Sequence, residues 1–379
     1  MVFNLSLVVL LVTFGLMSLS AVLPLSMKGR SIHLIWIVFI ISCSVCVFYN
    51  KPGLSTDLSR HYSAMERMNY GMVDLQYGGV YLFNLILWVI SKTNQYALLP
   101  SLNFLVIGIL IDSIVKKYAK NLNVAPRTIF IYYFFVLGCI GITSIVSGIR
   151  CALVSAIFVW GYVYFKGSKK SVFYAISIAI CFIHMVGVML IAFSLIYDIL
   201  MNTQKKLQNI SSVIVIIVLM RYIIYSGILE NIVSFIPGVF GKTLSIKIAD
   251  YMGINVVDSV MIPIWLNVRI ILVLLILLIS YFKNYQDDMI AYFIFVFALV
   301  GGVDGTARGR LLMPVSLLMF PNINTIYQGT KSNSLRNVRS AIMFTACFYM
   351  VFSSTYSLCA HVLFNGVNYR DILAPIIGR

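Results

Sequence analysis

The chain has 379 residues, 61% of them hydrophobic and only 11% charged, with a formal net charge of +16 and a mean hydropathy of +0.96. Soluble globular proteins carry roughly 25% charged residues, so this composition excludes a water-soluble protein with an ordinary polar surface. No large soluble domain fits either, because the longest polar-leaning stretches are those near 50–78 and 229–262.

Apolar runs near the roughly 20 residues needed to cross a hydrocarbon core recur from end to end. The spanning candidates are 3–25, 32–49, 96–115, 128–147, 149–165, 208–228, 262–282, 289–303, 311–328 and 340–363. No basic residue precedes the first run and no small-residue cleavage site ends it; it meets Lys28 and Arg30. It reads as a retained helix rather than a signal peptide. The run 79–91 is short and stops at Lys92. The run 171–199 is too long for one upright helix and short for two. Basic residues precede it (Lys166, Lys169, Lys170) and follow it (Lys205, Lys206). A helical hairpin turning near His184 reconciles those flanks. The predicted fold is all-α: a polytopic integral membrane protein forming a single transmembrane domain over 1–379. It has about 11–13 membrane helices, broken or re-entrant segments included.

Basic clusters favour the cytoplasmic side. One side collects Lys28, Arg30, Lys116, Lys117, Lys120, Arg127, Lys166, Lys169, Lys170, Lys205, Lys206, Lys283, Lys331, Arg336 and Arg339. These 15 basic residues stand against Asp112, Asp198, Asp287 and Asp288, or +11. The other 13 basic and 8 acidic residues give +5. The arrangement places the loops 50–78 and 229–262 and the turn 304–310 outside. It requires that 79–115 cross only once, so 79–91 stays in the outer leaflet or re-enters. The net charge thus reflects sidedness rather than nucleic-acid binding.

Five arginines do not fit plain spans: Arg150, Arg221, Arg269, Arg308 and Arg310. Charge at membrane depth costs at least about 3 kcal/mol on insertion scales, and all five fall in the outer half. A guanidinium is a planar fork that matches phosphate oxygens. Arg150 also opens a helix after Ser147-Gly148, where free N–H groups and the dipole favour an anion. Gly148 and Gly309 allow close backbone approach. The set points to a di-anion pocket, for example for pyrophosphate; snorkelling to lipid head groups is the plain alternative.

Asp57, Asp258 and Asp304 share that outer face, as charge balance or as a general base. His184 lies deep in an apolar run, Cys181-Phe-Ile-His-Met185, as a packed residue or a base. His61, near Asp57, is a base or an ordinary loop residue; His33 and His361 read as interfacial. Seven cysteines lie in or beside apolar runs and read as small hydrophobes. Cys43-Ser-Val-Cys46 has CxxC spacing without a second pair. No Walker A loop, HExxH, GxSxG or dinucleotide fingerprint occurs, and no residues have metal-ligand spacing. No cofactor is expected.

Several elements together resemble the EpsG-like branch of the Wzy class of bacterial polysaccharide polymerases. They are Asp57 with Tyr62, and Ser147-Gly-Ile-Arg-Cys-Ala-Leu-Val-Ser-Ala156 leading to Lys166, Lys169 and Lys170. Phe182-Ile183-His184 and Arg308-Gly309-Arg310 complete the set. The likeness covers most of the chain by order and spacing. It departs at Gln76-Tyr-Gly-Gly-Val-Tyr81, where family members carry an acidic residue and a proline. The resemblance implies a metal-independent glycosyltransferase in the bacterial cytoplasmic membrane with its active site facing outward. It would join oligosaccharide repeat units carried on undecaprenyl pyrophosphate, with membrane lipid and a chain-length regulator as partners.

In that chemistry Arg150, Arg308 and Arg310, with Arg221 and Arg269, would stabilise the leaving pyrophosphate. Asp57, His184 and Asp304 are the catalytic candidates. Arg60, His61, Tyr62 and Tyr81 are sugar-binding candidates. Two other functions compete. A flippase of the lipid-linked unit should show two related halves, and no internal repeat is evident. An O-antigen ligase or acyltransferase would share the lipid-facing architecture, the acyltransferase with a firmer histidine-led motif.

Overall fold

Among the described residues helix follows helix, and no strand occurs. The computed structural model describes residues 2–22, 29–49, 57–71, 80–122, 124–201, 269–277, 290–291, 294–295, 305–327, 349 and 352. Ten helices occupy the first part: α1 (Val2–Val22), α2 (Gly29–Phe48), α3 (Asp57–Asn69), α4 (Tyr81–Ser91), α5 (Leu98–Asn121), α6 (Pro126–Ile140), α7 (Ile142–Val146), α8 (Ile149–Phe165), α9 (Lys170–Cys181) and α10 (Val186–Met201). Later come α11 (Gly305–Leu318) and α12 (Phe320–Tyr327). The expected spans 208–228 and 340–363 lie outside the described residues or nearly so, as does the loop 229–262.

Two stretches, Gly29–Phe48 and Leu98–Lys120, are long and apolar enough to cross a membrane. Others are apolar on both faces. Helix α1 buries Leu10, Met17 and Ala21 yet exposes Leu5, Val8, Leu11, Val12, Leu16 and Leu19. A helix at a water-facing surface would carry polar residues on that outer stripe. The same holds for α4, with Leu85, Trp88 and Val89 exposed, and for α10, with Val188, Leu195 and Ile199 exposed.

The core is built from helix neighbours in sequence and a few distant pairs. Gly108 lets α5 sit against α2: a Cβ there would come within 2.5 Å of Ile40, and the Trp36 indole donates to the Gly108 carbonyl at 3.0 Å. Helix α11 packs on α6 and α8. Tyr132 of α6 donates to the Leu317 carbonyl at 2.6 Å, and Phe320 stacks on Tyr118 at 5.7 Å.

Polar groups gather at one end of this bundle. Asp112 accepts from three helices: His33 Nδ1 at 2.6 Å, Tyr133 OH at 2.7 Å and Lys116 Nζ at 2.6 Å. Facing a carboxylate, His33 Nδ1 carries the hydrogen. Trp36 stacks on Tyr133 at 4.0 Å. His33, read from sequence as an interfacial residue, is thus paired with the buried carboxylate of Asp112. Lys166 ends α8 and donates to Asp198 (2.6 Å), Ser194 (2.8 Å) and Tyr174 (3.0 Å).

The hairpin expected near His184 is present. Helices α9 and α10 are separated by a turn at 182–185. Their far ends meet where Tyr174 OH donates to Asp198 at 2.8 Å, so the two run antiparallel. Gly187 closes the turn: an added Cβ would lie 3.0 Å from Cys181 N and 3.1 Å from its Cα. A side chain there would have to push this backbone back by a few tenths of an ångström, so glycine suits the position.

Two expectations need correcting. The run 128–147 is not one helix: it breaks at Gly141, whose φ of +78° and extended ψ of 133° suit glycine alone. The 50–78 loop is not all loop, because it contains α3. That helix buries Leu58, His61, Ala64, Met65 and Met68, spaced as one helical face, and turns Arg60, Glu66 and Arg67 outward.

Candidate functional site

At the end of the bundle away from Asp112 and Lys166, several helix termini converge. Helix α8 starts there at Ile149, and its 17 residues separate Arg150 from Lys166 by about 24 Å at 1.5 Å per residue. Helix α9 ends there, α10 begins there, and α4 begins there. The first amides of α4 have no carbonyl partner within their own helix. The Leu82 and Phe83 amides instead donate to the Phe182 carbonyl at the hairpin turn, at 3.1 and 3.3 Å.

Gly148 makes the α7–α8 joint. A Cβ there would meet the Ser144 carbonyl oxygen at 3.1 Å, so the chain itself crowds this glycine. At Gly309 a Cβ would meet nothing within 4 Å among the described residues, so the space beside it is open.

One cation, Arg150, lies against Phe83 beside His61. The Arg150 guanidinium carbon lies 5.3 Å from the Phe83 ring centroid, within cation–π range. The His61 ring meets the same phenyl edge-on, centroids 5.1 Å apart. The charges of Arg150 and Arg60 both act on His61. Those of Arg310, from α11, and Arg150 both act on the Cys151 thiol. Phe83 thereby joins α3 to α8 through His61 and Arg150, and α11 packs on α8. Arg269, the first residue of the helical stretch 269–277, donates to the Cys139 carbonyl at 3.3 Å where α6 ends, a favourable place for a cation.

Asp57 opens α3 and is ion-paired with Arg60. Tyr62 is half-buried; its ring lies 6.0 Å from that of Tyr96, and burial pushes its phenol up to about 12. Tyr81 is 70% exposed and sits 6.5 Å from the Phe182 ring. His184 is buried, and its Nδ1 accepts from the Val186 amide at 3.2 Å. Arg221 and Asp304 lie outside the described residues, as does Asp258. Arg308 belongs to α11, but its side chain lies outside what the structure describes. Sequence reasoning missed Phe83, since an aromatic inside an apolar run carries no signal of its own.

His61 is 2% exposed. Burial, then the charges of Arg150 and Arg60, lower its pKa from 6.5 to about 3. The folded protein keeps this imidazole neutral where the unfolded chain protonates it. Between those two pH values the unfolded state binds more protons, so stability falls as the pH drops from 6.5 toward 3. Above 6.5 the term is flat. The wild type is expected to lose about 2 kcal/mol between pH 6.5 and 5 through this residue, at about 1.4 kcal/mol per pH unit. Unfolding in detergent micelles at both pH values, compared with His61→Gln, checks this. Equal pH slopes in the two proteins would refute it.

No protein-family model, curated protein or solved structure matches this chain.

Proposed function

We propose that this chain is a polytopic membrane enzyme of the bacterial cytoplasmic membrane. It joins oligosaccharide repeat units carried on undecaprenyl pyrophosphate at the outer face. The membrane part of the reading draws on the two long apolar helices and on the apolar stripes that α1, α4 and α10 turn outward. Such surface is costly in water and favourable against lipid.

One observation carries the catalytic part: Arg150 lies against Phe83 at the start of α8, and Arg310, 160 positions away in sequence, comes from α11, which packs on α8. In the reaction, a hydroxyl oxygen of the acceptor unit attacks the anomeric carbon of the donor. The bond from that carbon to the pyrophosphate oxygen breaks, and the electron pair leaves with the pyrophosphate. Pre-placed guanidinium groups in a water-poor site stabilise that developing charge. The hydroxyl proton passes to a carboxylate, with Asp57 and Asp304 the candidates. Exposed Arg60 and Tyr81 are suited to sugar contacts, whereas buried His61 serves the interior of the site.

The test is a gel of surface polysaccharide from a strain lacking this protein. A single repeat unit still attached to its anchor is the expected result. A wild-type ladder would refute the reading. Loss of the repeat altogether would replace it with a flippase or ligase.

A further inference from the structure

Phe83 is fully buried and is where three features meet. Its ring lies beside the Arg150 guanidinium and the His61 ring, and its amide is held by the Phe182 carbonyl. That carbonyl belongs to a turn, so its direction depends on what fixes the turn. Here the Val186 amide donates to His184 Nδ1 at 3.2 Å. The His184 amide donates to the Ile180 carbonyl at 3.1 Å, and the Gly187 amide donates to the His184 carbonyl at 2.9 Å. The imidazole acts as a side-chain cap on α10, in the way an asparagine or serine caps a helix by accepting from the residue two ahead.

We propose that His184 is a positioning residue that sets Arg150 through Phe83. The cap holds the Phe182 carbonyl in place, the carbonyl seats the first turn of α4, and that turn puts the Phe83 ring against the guanidinium. An arginine side chain is long and rotamer-rich; an aromatic ring beside it narrows where the fork points. The proposal rests on the reading of the arginine cluster as a pyrophosphate site. It asks nothing of His184 as an acid or base, because the cap needs only an acceptor atom.

Inorganic pyrophosphate binding to the purified full-length protein in detergent, measured by calorimetry, tests this without any proton-transfer step. Arg150→Ala should abolish binding. Phe83→Leu, which keeps apolar volume but removes the ring face, should weaken it about fivefold. His184→Ala should do the same, by about fivefold. His184→Asn, which caps without an imidazole, should stay within about twofold of the wild type. Helical circular dichroism reports whether each variant is folded. If Phe83→Leu and His184→Ala bind as the wild type does while Arg150→Ala does not, the positioning idea fails and the pyrophosphate site stands. If His184→Asn loses as much as His184→Ala, the cap is refuted. If the wild type binds no pyrophosphate, both fall together.

Discussion

Arg150→Ala is expected to leave the protein inserted and to abolish long polysaccharide, with a single repeat unit accumulating on its anchor. The residue is second in α8, where the helix dipole already favours an anion. Its guanidinium lies against the buried Phe83 ring that His61 also meets, so its removal empties that place. Removing one pre-placed donor to a developing oxyanion costs about 100- to 1,000-fold in rate. Arg150→Lys keeps the charge but not the two-pronged fork, and an intermediate chain length is expected. Polysaccharide gels and membrane immunoblots check both variants. Wild-type chain lengths from Arg150→Ala at normal expression would rule out the pyrophosphate role.

Asp112→Ala is expected to be the most damaging change far from that site, lowering stability by about 3 kcal/mol. The Asp112 side chain is 4% exposed and pairs with both His33 and Lys116, while Tyr133 donates to it from α6. Its loss leaves the buried Tyr133 hydroxyl of α6 and the His33 ring of α2 without their acceptor. Asp198→Ala should cost less, because that carboxylate is 29% exposed and Lys166 retains Ser194 and Tyr174. Thermal unfolding of both variants in micelles gives the comparison. An Asp112→Ala midpoint equal to the wild type would show that the cluster does not pin the three helices.

Some of this is legible in the sequence, and for stateable reasons. The run 149–165 has the bounds of α8 because Gly148 precedes it and Lys166 stops it. The hairpin at His184 follows from basic residues on both flanks of one apolar run. What escapes a sequence reading has a different character. Gly141 breaks its run by a backbone angle, to which composition is blind when every neighbour is apolar. Helix α3 is hidden because half its surface is polar, although Leu58, His61, Met65 and Met68 already stand at helical spacing. The pairing of His33 with Asp112 joins positions 79 residues apart, and the approach of Arg310 to Cys151 is longer still. No local pattern announces such contacts. The arginines stand out by their chemistry; Phe83, which one of them lies against, does not.

The hairpin of α9 and α10 begins and ends beside the same ion pair, Lys166 with Asp198. In a membrane, an element whose entry and exit share a side adds an even number of passes. It therefore leaves the parity of the chain, and with it the orientation of everything downstream, untouched. Insertion machinery that reads charge on either flank receives the same instruction with or without the segment. The turn that carries His184 could thus be lengthened, shortened or exchanged between relatives without inverting the rest of the protein.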